Sequence, residues 1–293
     1  MNPVKRLASV LILLIFIPAL CLADNLLELP VDLSPAPVPN PKCYTKDGYQ
    51  DESLTVRMEK VVYEKVQVNL AWIEVASPTQ LRTAIYGDPS DLYQEGNPGV
   101  IVRANNAVVA VNGDLFTRRQ GILYRQGVAL RKTDSAGKDS LFIDENGDFH
   151  VIPNSDPELM VEYLRSGHTI VNSFSFGPAL VVDGKAQQIP SDYWFEPEGR
   201  CQRTAICQVG KNQYLFVEVI GRTLESRGFT LQQFANFLET LGVQCGYNLD
   251  GGDSTVMYLG RTYYDMDHHY NGEERVMSDI VYVCSAVDPA SWQ

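Results

Sequence analysis

The chain has 293 residues, 45% of them hydrophobic, and its 36 acidic side chains outweigh 24 basic ones to give a net charge of −12. That length supplies one large core, and the acidic balance excludes nucleic acid or an anionic membrane as the main partner, because both demand a basic footprint. An anionic small substrate stays compatible where Arg side chains or backbone N–H groups cluster locally.

Residues 1–23 carry Lys5 and Arg6, an apolar run from Leu7 to Leu22 and a small residue at Ala23. This is the layout of a secretory signal peptide, too short for a stable membrane span. The mature chain is therefore expected to be secreted or extracellular, the cell envelope included, with a charge of 22 − 36 = −14 once Lys5 and Arg6 are removed. Residues 24–43, with Pro30, Pro35, Pro37, Pro39 and Pro41, read as an extended spacer unable to bury a core. Residues 44–286 form one domain, followed by a tail at 287–293.

Cys43, Cys201, Cys207, Cys245 and Cys284 remain after cleavage. Export permits disulfides, and an odd count leaves at least one thiol without an intramolecular partner. Cys201 and Cys207, if extended, lie roughly 20 Å apart and cannot bridge each other.

In chain order, VRMEKVVYEKVQVNLAWIEVA, NAVVAVNG, ALVVDGK, QYLFVEVIG, TVMYLG and DIVYVCSAV are β-branched or aromatic runs closed by turn residues, and each reads as strand. Two helices are expected. DPELMVEYLRS, 156–166, has Pro157 suited to a first turn. TLQQFANFLETLG, 230–242, puts Leu231, Phe234, Ala235, Leu238 and Leu241 on one face, with a Thr230–Gln233 capping box and Gly242 as terminator. Few helices among many strands predict an α+β fold, a β-rich single domain of mixed sheets.

Three stretches concentrate chemistry. NLDGGDSTVMYLG gathers Asp250, Gly251, Gly252, Asp253, Ser254 and Thr255. It reads as a tight hairpin, because Asp-Gly and Gly-Gly supply positive φ, or as a site where Gly amides and hydroxyls converge on a ligand. AVVAVNGDLFTRRQG repeats the design with Asn112, Gly113 and Asp114, then adds Phe116, Arg118 and Arg119. CQRTAIC contributes Arg203 and Thr204; Arg203 reads as a surface ion-pair partner or as a phosphate ligand through paired N–H bonds.

The ordered set Asn112-Gly113-Asp114-Leu115-Phe116, Phe176-Gly177-Pro178-Ala179-Leu180 with Asp183-Gly184, Arg203-Thr204-Ala205, Glu225-Ser226-Arg227-Gly228 and Asn248–Thr255 resembles the phosphodiester glycosidase family in its bacterial exported branch. The resemblance spans about Val56 to Cys284. It implies hydrolysis of the bond between a sugar anomeric carbon and a phosphodiester, as in N-acetylglucosamine-1-phosphodiesters, with a glycan or glycosyl-phosphate as partner. The alternative is a non-catalytic matrix protein that binds polysaccharide on the same fold.

On that reading Asp250 is the first choice of catalytic carboxylate and Asp114 the second, while Arg203 receives the departing phosphate with Thr204, Ser254, Thr255 and the Gly251 and Gly252 amides. Asn112 orients a sugar hydroxyl or fixes the Asp250 loop, and Glu225 reads as an acid–base group or a solvated residue. Asp114 and Asp253 stand where relatives carry Gly, as does Cys207. The two added carboxylates bear on substrate or metal preference, although no cofactor is strictly implied beyond a possible divalent cation. YYDMDHHYNGEER, with Asp265, Asp267, His268 and His269, reads as an exposed loop or a metal site, its Tyr side chains as platforms for sugar faces.

Overall fold

The computed structural model describes residues 25–133, 137–265 and 275–292. The signal-like residues 1–23 and the Asp267–His269 cluster lie outside that set.

The long apolar runs become strands because both faces of the sheet they build are covered. A nine-stranded sheet contains, among others, the neighbours Leu54–Tyr63, Val66–Val75, Gln213–Val219, Arg203–Gly210, Cys245–Asn248 and Ala179–Val182 in that spatial order. Along Gln213–Val219 the side chains alternate. Tyr214 and Phe216 enter a core shared with Val109, Val111 and Val281 of a second sheet, while Leu215 and Val217 meet Phe234 and Leu238 of a helix. This period-two alternation between two apolar layers explains why such strands read as unbroken hydrophobic runs.

The second sheet has five strands, with Val109–Asn112 at its centre between Met257–Leu259 and Asp279–Val283. Its far face is covered by α1 (Pro98–Ala104), through Ile101 and Val102, and by Leu29 and Ala36. A three-stranded sheet, Phe149–Ile152, Ser140–Asp144 and Ile170–Phe174, carries α2 (Pro157–Arg165) over a small core of Phe142, Ile152, Met160, Tyr163 and Ile170. All pairings between named strands are antiparallel. The domain is β-rich α+β with three α-helices among the described residues, as the sequence predicts.

Both expected helices form. In α3 (Leu231–Thr240) the Thr230 hydroxyl accepts from the Gln233 amide at 3.1 Å and the Gln233 side chain accepts from the Thr230 amide at 3.2 Å. Helix α2 starts on Pro157 with Asp156 capping the amides of Glu158 and Leu159. Helix α1 also starts on a proline, Pro98, but it has no side-chain cap bond and its seven residues run almost directly into a strand, too short for an apolar face to stand out.

The Pro-rich stretch is extended but is not a free spacer. The buried Arg82 donates to the carbonyls of Pro30, Asp32 and Ser34, Asn106 donates to that of Ala36, and Leu26 pairs with Val287. Proline lacks an N–H but keeps its carbonyl, and those carbonyls are what the domain grips. The five cysteines among the described residues are free thiols, Cys207 and Cys284 fully buried.

Candidate active site

Neither the Asp250-Gly251-Gly252 turn nor the Asn112-Gly113-Asp114 turn is a hairpin. Cys245–Asn248 belongs to the nine-stranded sheet and Met257–Leu259 to the five-stranded one, so residues 249–256 cross between sheets. Gly252–Ser254 forms a 3-10 turn within that crossover, so Ser254 and Thr255 precede the next strand instead of beginning it. After Asn112 the chain likewise leaves its sheet, through Leu115 in a left-handed conformation and a 3-10 turn at Phe116–Arg118. Both acidic motifs thus sit where strands of two different sheets end.

Asn112 fastens the two motifs. Its Nδ2 donates to the Asp250 carbonyl at 2.8 Å and the Gly113 carbonyl at 3.0 Å. Its Oδ1 accepts from the Thr204 hydroxyl at 2.8 Å and the Val256 amide at 3.3 Å. Of the two roles expected for Asn112, the structure gives it the fixing of the Asp250 loop, and Thr204 serves the same knot. Gly251 and Gly113 are required by close approach: an added Cβ would stand 2.7 Å from the Gln202 carbonyl oxygen at the first and 2.1 Å from the Asp279 carboxylate at the second.

Asp250 is 3% exposed, and its Oδ2 has no hydrogen-bond partner among the described residues; the same holds for Ser254 Oγ and Thr255 Oγ1. Asn112, Gly113, Leu115, Asp250, Ser254, Met277 and Asp279 line a narrow cleft. Burial pushes the Asp250 carboxyl above the usual carboxylate range, opposed by the nearby Ser254 hydroxyl and the charges of Arg275 and Arg119. A buried carboxyl with an uncommitted oxygen, its pKa raised by burial and in the field of two guanidiniums, is suited to proton exchange.

Asp114 lies in a different environment. Its Oδ1 accepts from Arg125 at 2.9 Å and its Oδ2 from the Ser175 amide at 3.0 Å. The same Arg125 Nη2 binds Asp279 Oδ2 at 2.7 Å, and the guanidinium lies between the rings of Phe116 and Phe174. Burial raises the Asp279 carboxyl, Arg125 opposes this, and Asp114 adds to it. Two carboxyls sharing one fully buried cation support the floor of the site, and each Asp114 oxygen already accepts one internal hydrogen bond. The sequence reading missed Arg125 and Asp279, which sit within ordinary-looking strand ends.

Arg203, expected to hold phosphate, is committed through two of its nitrogens to loop carbonyls. Its Nε donates to the Phe229 carbonyl at 3.2 Å, and its Nη2 donates to those of Glu196 and Gly199 at 3.1 and 2.8 Å. A buried guanidinium that saturates loop carbonyls braces those loops. Asp253 is exposed and pairs with Arg222 at 3.3 Å; Glu225 is exposed on the same Gly221–Gly228 loop as Arg222.

The available positive charge stands elsewhere. Arg119 lies over Phe176, Trp194 and Phe195, with ring centroids 4.8–5.4 Å from its guanidinium carbon, and its buried Nε has no partner among the described residues. Arg118 is held by Glu95 through bonds of 3.0 and 2.8 Å. Phe176, from the FGPAL motif, therefore serves as one wall of an aromatic seat for Arg119.

Among curated proteins the chain is 25% identical over 188 residues to an uncharacterized protein, YomE, derived from the SPbeta prophage of Bacillus subtilis strain 168. The match covers 62% of this chain and 28% of that relative, so the chain spans under a third of its length. Among solved structures, the catalytic domain of zebrafish N-acetylglucosamine-1-phosphodiester alpha-N-acetylglucosaminidase, auto-inhibited by its pro-peptide, superposes with a TM-score of 0.64 at 19% identity, covering 81% of this chain and 85% of that one. A hypothetical protein from Synechocystis gives 0.54 at 16% identity, over 79% and 62%. These likenesses establish the fold, and the model of the phosphodiester glycosidase family matches residues 105–284, more than half the chain, which therefore belongs to that family.

Proposed function

We propose that the protein is an exported hydrolase that cleaves the bond between the sugar anomeric carbon and phosphate in sugar-1-phosphodiesters, such as those of N-acetylglucosamine. The observation that carries the reading is the buried Asp250 carboxyl, its Oδ2 without a hydrogen-bond partner among the described residues, beside the Ser254 hydroxyl and in the field of Arg119 and Arg275. Family membership supports the reaction class, and the signal-like residues 1–23 support export.

In this reaction the C1–O bond breaks with its electron pair passing to the phosphate oxygen, and water supplies hydroxyl to C1. A phosphomonoester is a good leaving group, so the site needs positive charge at the departing oxygens more than a strong general acid. Arg119 and Arg275 fill that role in place of Arg203, with the Ser254 and Thr255 hydroxyls as further donors; the Gly252 amide, expected to join them, is instead held by the Gln202 carbonyl at 3.0 Å. Asp250 acts on the opposite side, taking the proton of the attacking water or attacking C1 itself. Arg203, Asn112, Thr204 and Asp114 hold the loops that place these groups.

The test is sugar release from a panel of sugar-1-phosphodiesters that includes GlcNAc-α-1-phosphate esters. The mature protein is expected to release free sugar, and a folded Asp250→Asn variant to lose about 1,000-fold or more in kcat. No release across the panel overturns the reaction and favours the polysaccharide-binding alternative.

A further inference from the structure

Away from the Asp250 cleft, two of the chain's four histidines converge on one buried carboxylate. Asp144 Oδ2 lies 3.0 Å from His150 Nε2 and 3.1 Å from His168 Nδ1, and the three ligand atoms all fall within 4.8 Å of one another. The Asp144 side chain is 1% exposed. Its other oxygen, Oδ1, is occupied by the Asn146 and Asp148 amides at 2.8 and 2.9 Å, which aims Oδ2 at the imidazoles. An ordinary hydrogen-bonding carboxylate gains little from two imidazoles on a single oxygen.

We propose that Asp144, His150 and His168 form a zinc-class divalent metal site. Zinc takes imidazole nitrogen and carboxylate oxygen at about 2.0–2.1 Å, which sets ligand atoms roughly 3.3 Å apart in a tetrahedron. The two Asp144–imidazole spacings reach that value by opening about 0.2–0.3 Å each, and the two imidazole nitrogens lie within 4.8 Å of each other. Two neutral imidazoles and one carboxylate leave a fourth position, as in zinc sites that keep a water or take an exogenous ligand.

That position has access. Both histidines are about one-third exposed and line a cleft of about 570 Å³ with Tyr163, Glu162 and Asp183. Tyr163 is 7% exposed, its hydroxyl has no partner among the described residues, and its ring lies against both imidazoles at centroid distances of 5.1 and 5.8 Å. Glu145, with Oε1 3.6 Å from His168 Nδ1, supplies a second negative charge to balance a divalent ion.

The location gives the ion a structural consequence. Asp144 ends one strand of the three-stranded sheet, His150 lies in the next, and His168 is in the link between α2 and Ile170–Phe174. On its α2 side this layer is held by five buried side chains, while Leu141, Ile143, Phe149 and Phe174 anchor its other face in the main core, so a three-point clip reinforces the α2 side.

The experiment uses the mature protein without an affinity tag, stripped with a chelator and titrated with zinc chloride by calorimetry while its thermal unfolding is followed. The wild type is expected to bind one equivalent and to melt at higher temperature with zinc. Folded His150→Gln and His168→Gln variants are expected to bind at least about 100-fold more weakly and to lose the shift. A His268→Gln/His269→Gln double variant serves as control and keeps both properties. Zinc absorption-edge spectra of that control, showing two imidazoles and one carboxylate oxygen, decide the matter if the first two variants fail to fold. No zinc binding, or binding that survives in His150→Gln and His168→Gln, overturns the proposal.

Discussion

The Asn112 side chain donates to the main-chain oxygen of Asp250 at 2.8 Å, across 138 residues of sequence. It joins a strand end of one sheet to the crossover leaving another, and the Thr204 hydroxyl closes the same knot. Asn112→Ala leaves the Asp250 carbonyl, the Val256 amide and the Thr204 hydroxyl without their shared partner. A stability loss of about 2–4 kcal/mol is expected in urea unfolding. A loss below about 0.5 kcal/mol would show that the knot holds nothing.

The pH dependence of turnover tests the Arg119 seat. On the proposed mechanism ionised Asp250 is the active form, so kcat/KM is expected to fall as pH drops through its raised pKa. Arg119 is one of the charges that lower this pKa. Removing it in Arg119→Met moves the acid limb to higher pH and raises KM for the phosphodiester by about 10–100-fold. A limb that moves to lower pH contradicts the assignment.

Arg125→Leu strands Asp114 and Asp279 together in the interior, each formerly bound to the same Nη2. The single change is expected to cost about 3–5 kcal/mol, and adding Asp114→Asn and Asp279→Asn to recover part of it. Chemical denaturation of the single and triple variants measures both. Full retention of stability by the single variant would mean that this cation does not hold the floor.

Glu218 offers a stability readout separate from catalysis. Burial pushes its carboxyl up to about 7, while the Asn69 side chain, at 2.8 Å, pulls it back. The unfolded chain ionises near 4.5, so between there and about 7 the folded state binds the extra proton and stability falls as pH rises. Glu218→Gln removes this dependence and stabilises the protein at pH 8 by about 2–3 kcal/mol relative to its effect at pH 4. Melting curves at the two pH values check the sign.

Strands, two of the three helices and the family were legible because each rests on local signals: apolar alternation, the Thr230–Gln233 box, Pro157 at a first turn, and the ordered Asn-Gly-Asp, Arg-Thr-Ala and Asp-Gly-Gly motifs. Asp250 was singled out for the same reason. Arg203 and Asp114 were singled out by the same motifs, but the partners of their side chains were not legible there. Whether a guanidinium faces a ligand or a loop carbonyl depends on where distant backbone oxygens lie, and neighbouring sequence carries no record of that.

The sequence by itself determined a β-rich domain, its acidic surface and the motifs that place it in the phosphodiester glycosidase family, since propensity, charge and motif order act over a few residues. Only the tertiary structure decided that two apparent hairpins are crossovers, that Arg125 claims Asp114 and Asp279, and that Arg119 is seated on three rings. It also brought His150 and His168 to Asp144. These depend on which strand ends meet across sheets, and that pairing follows from burying two apolar faces at once.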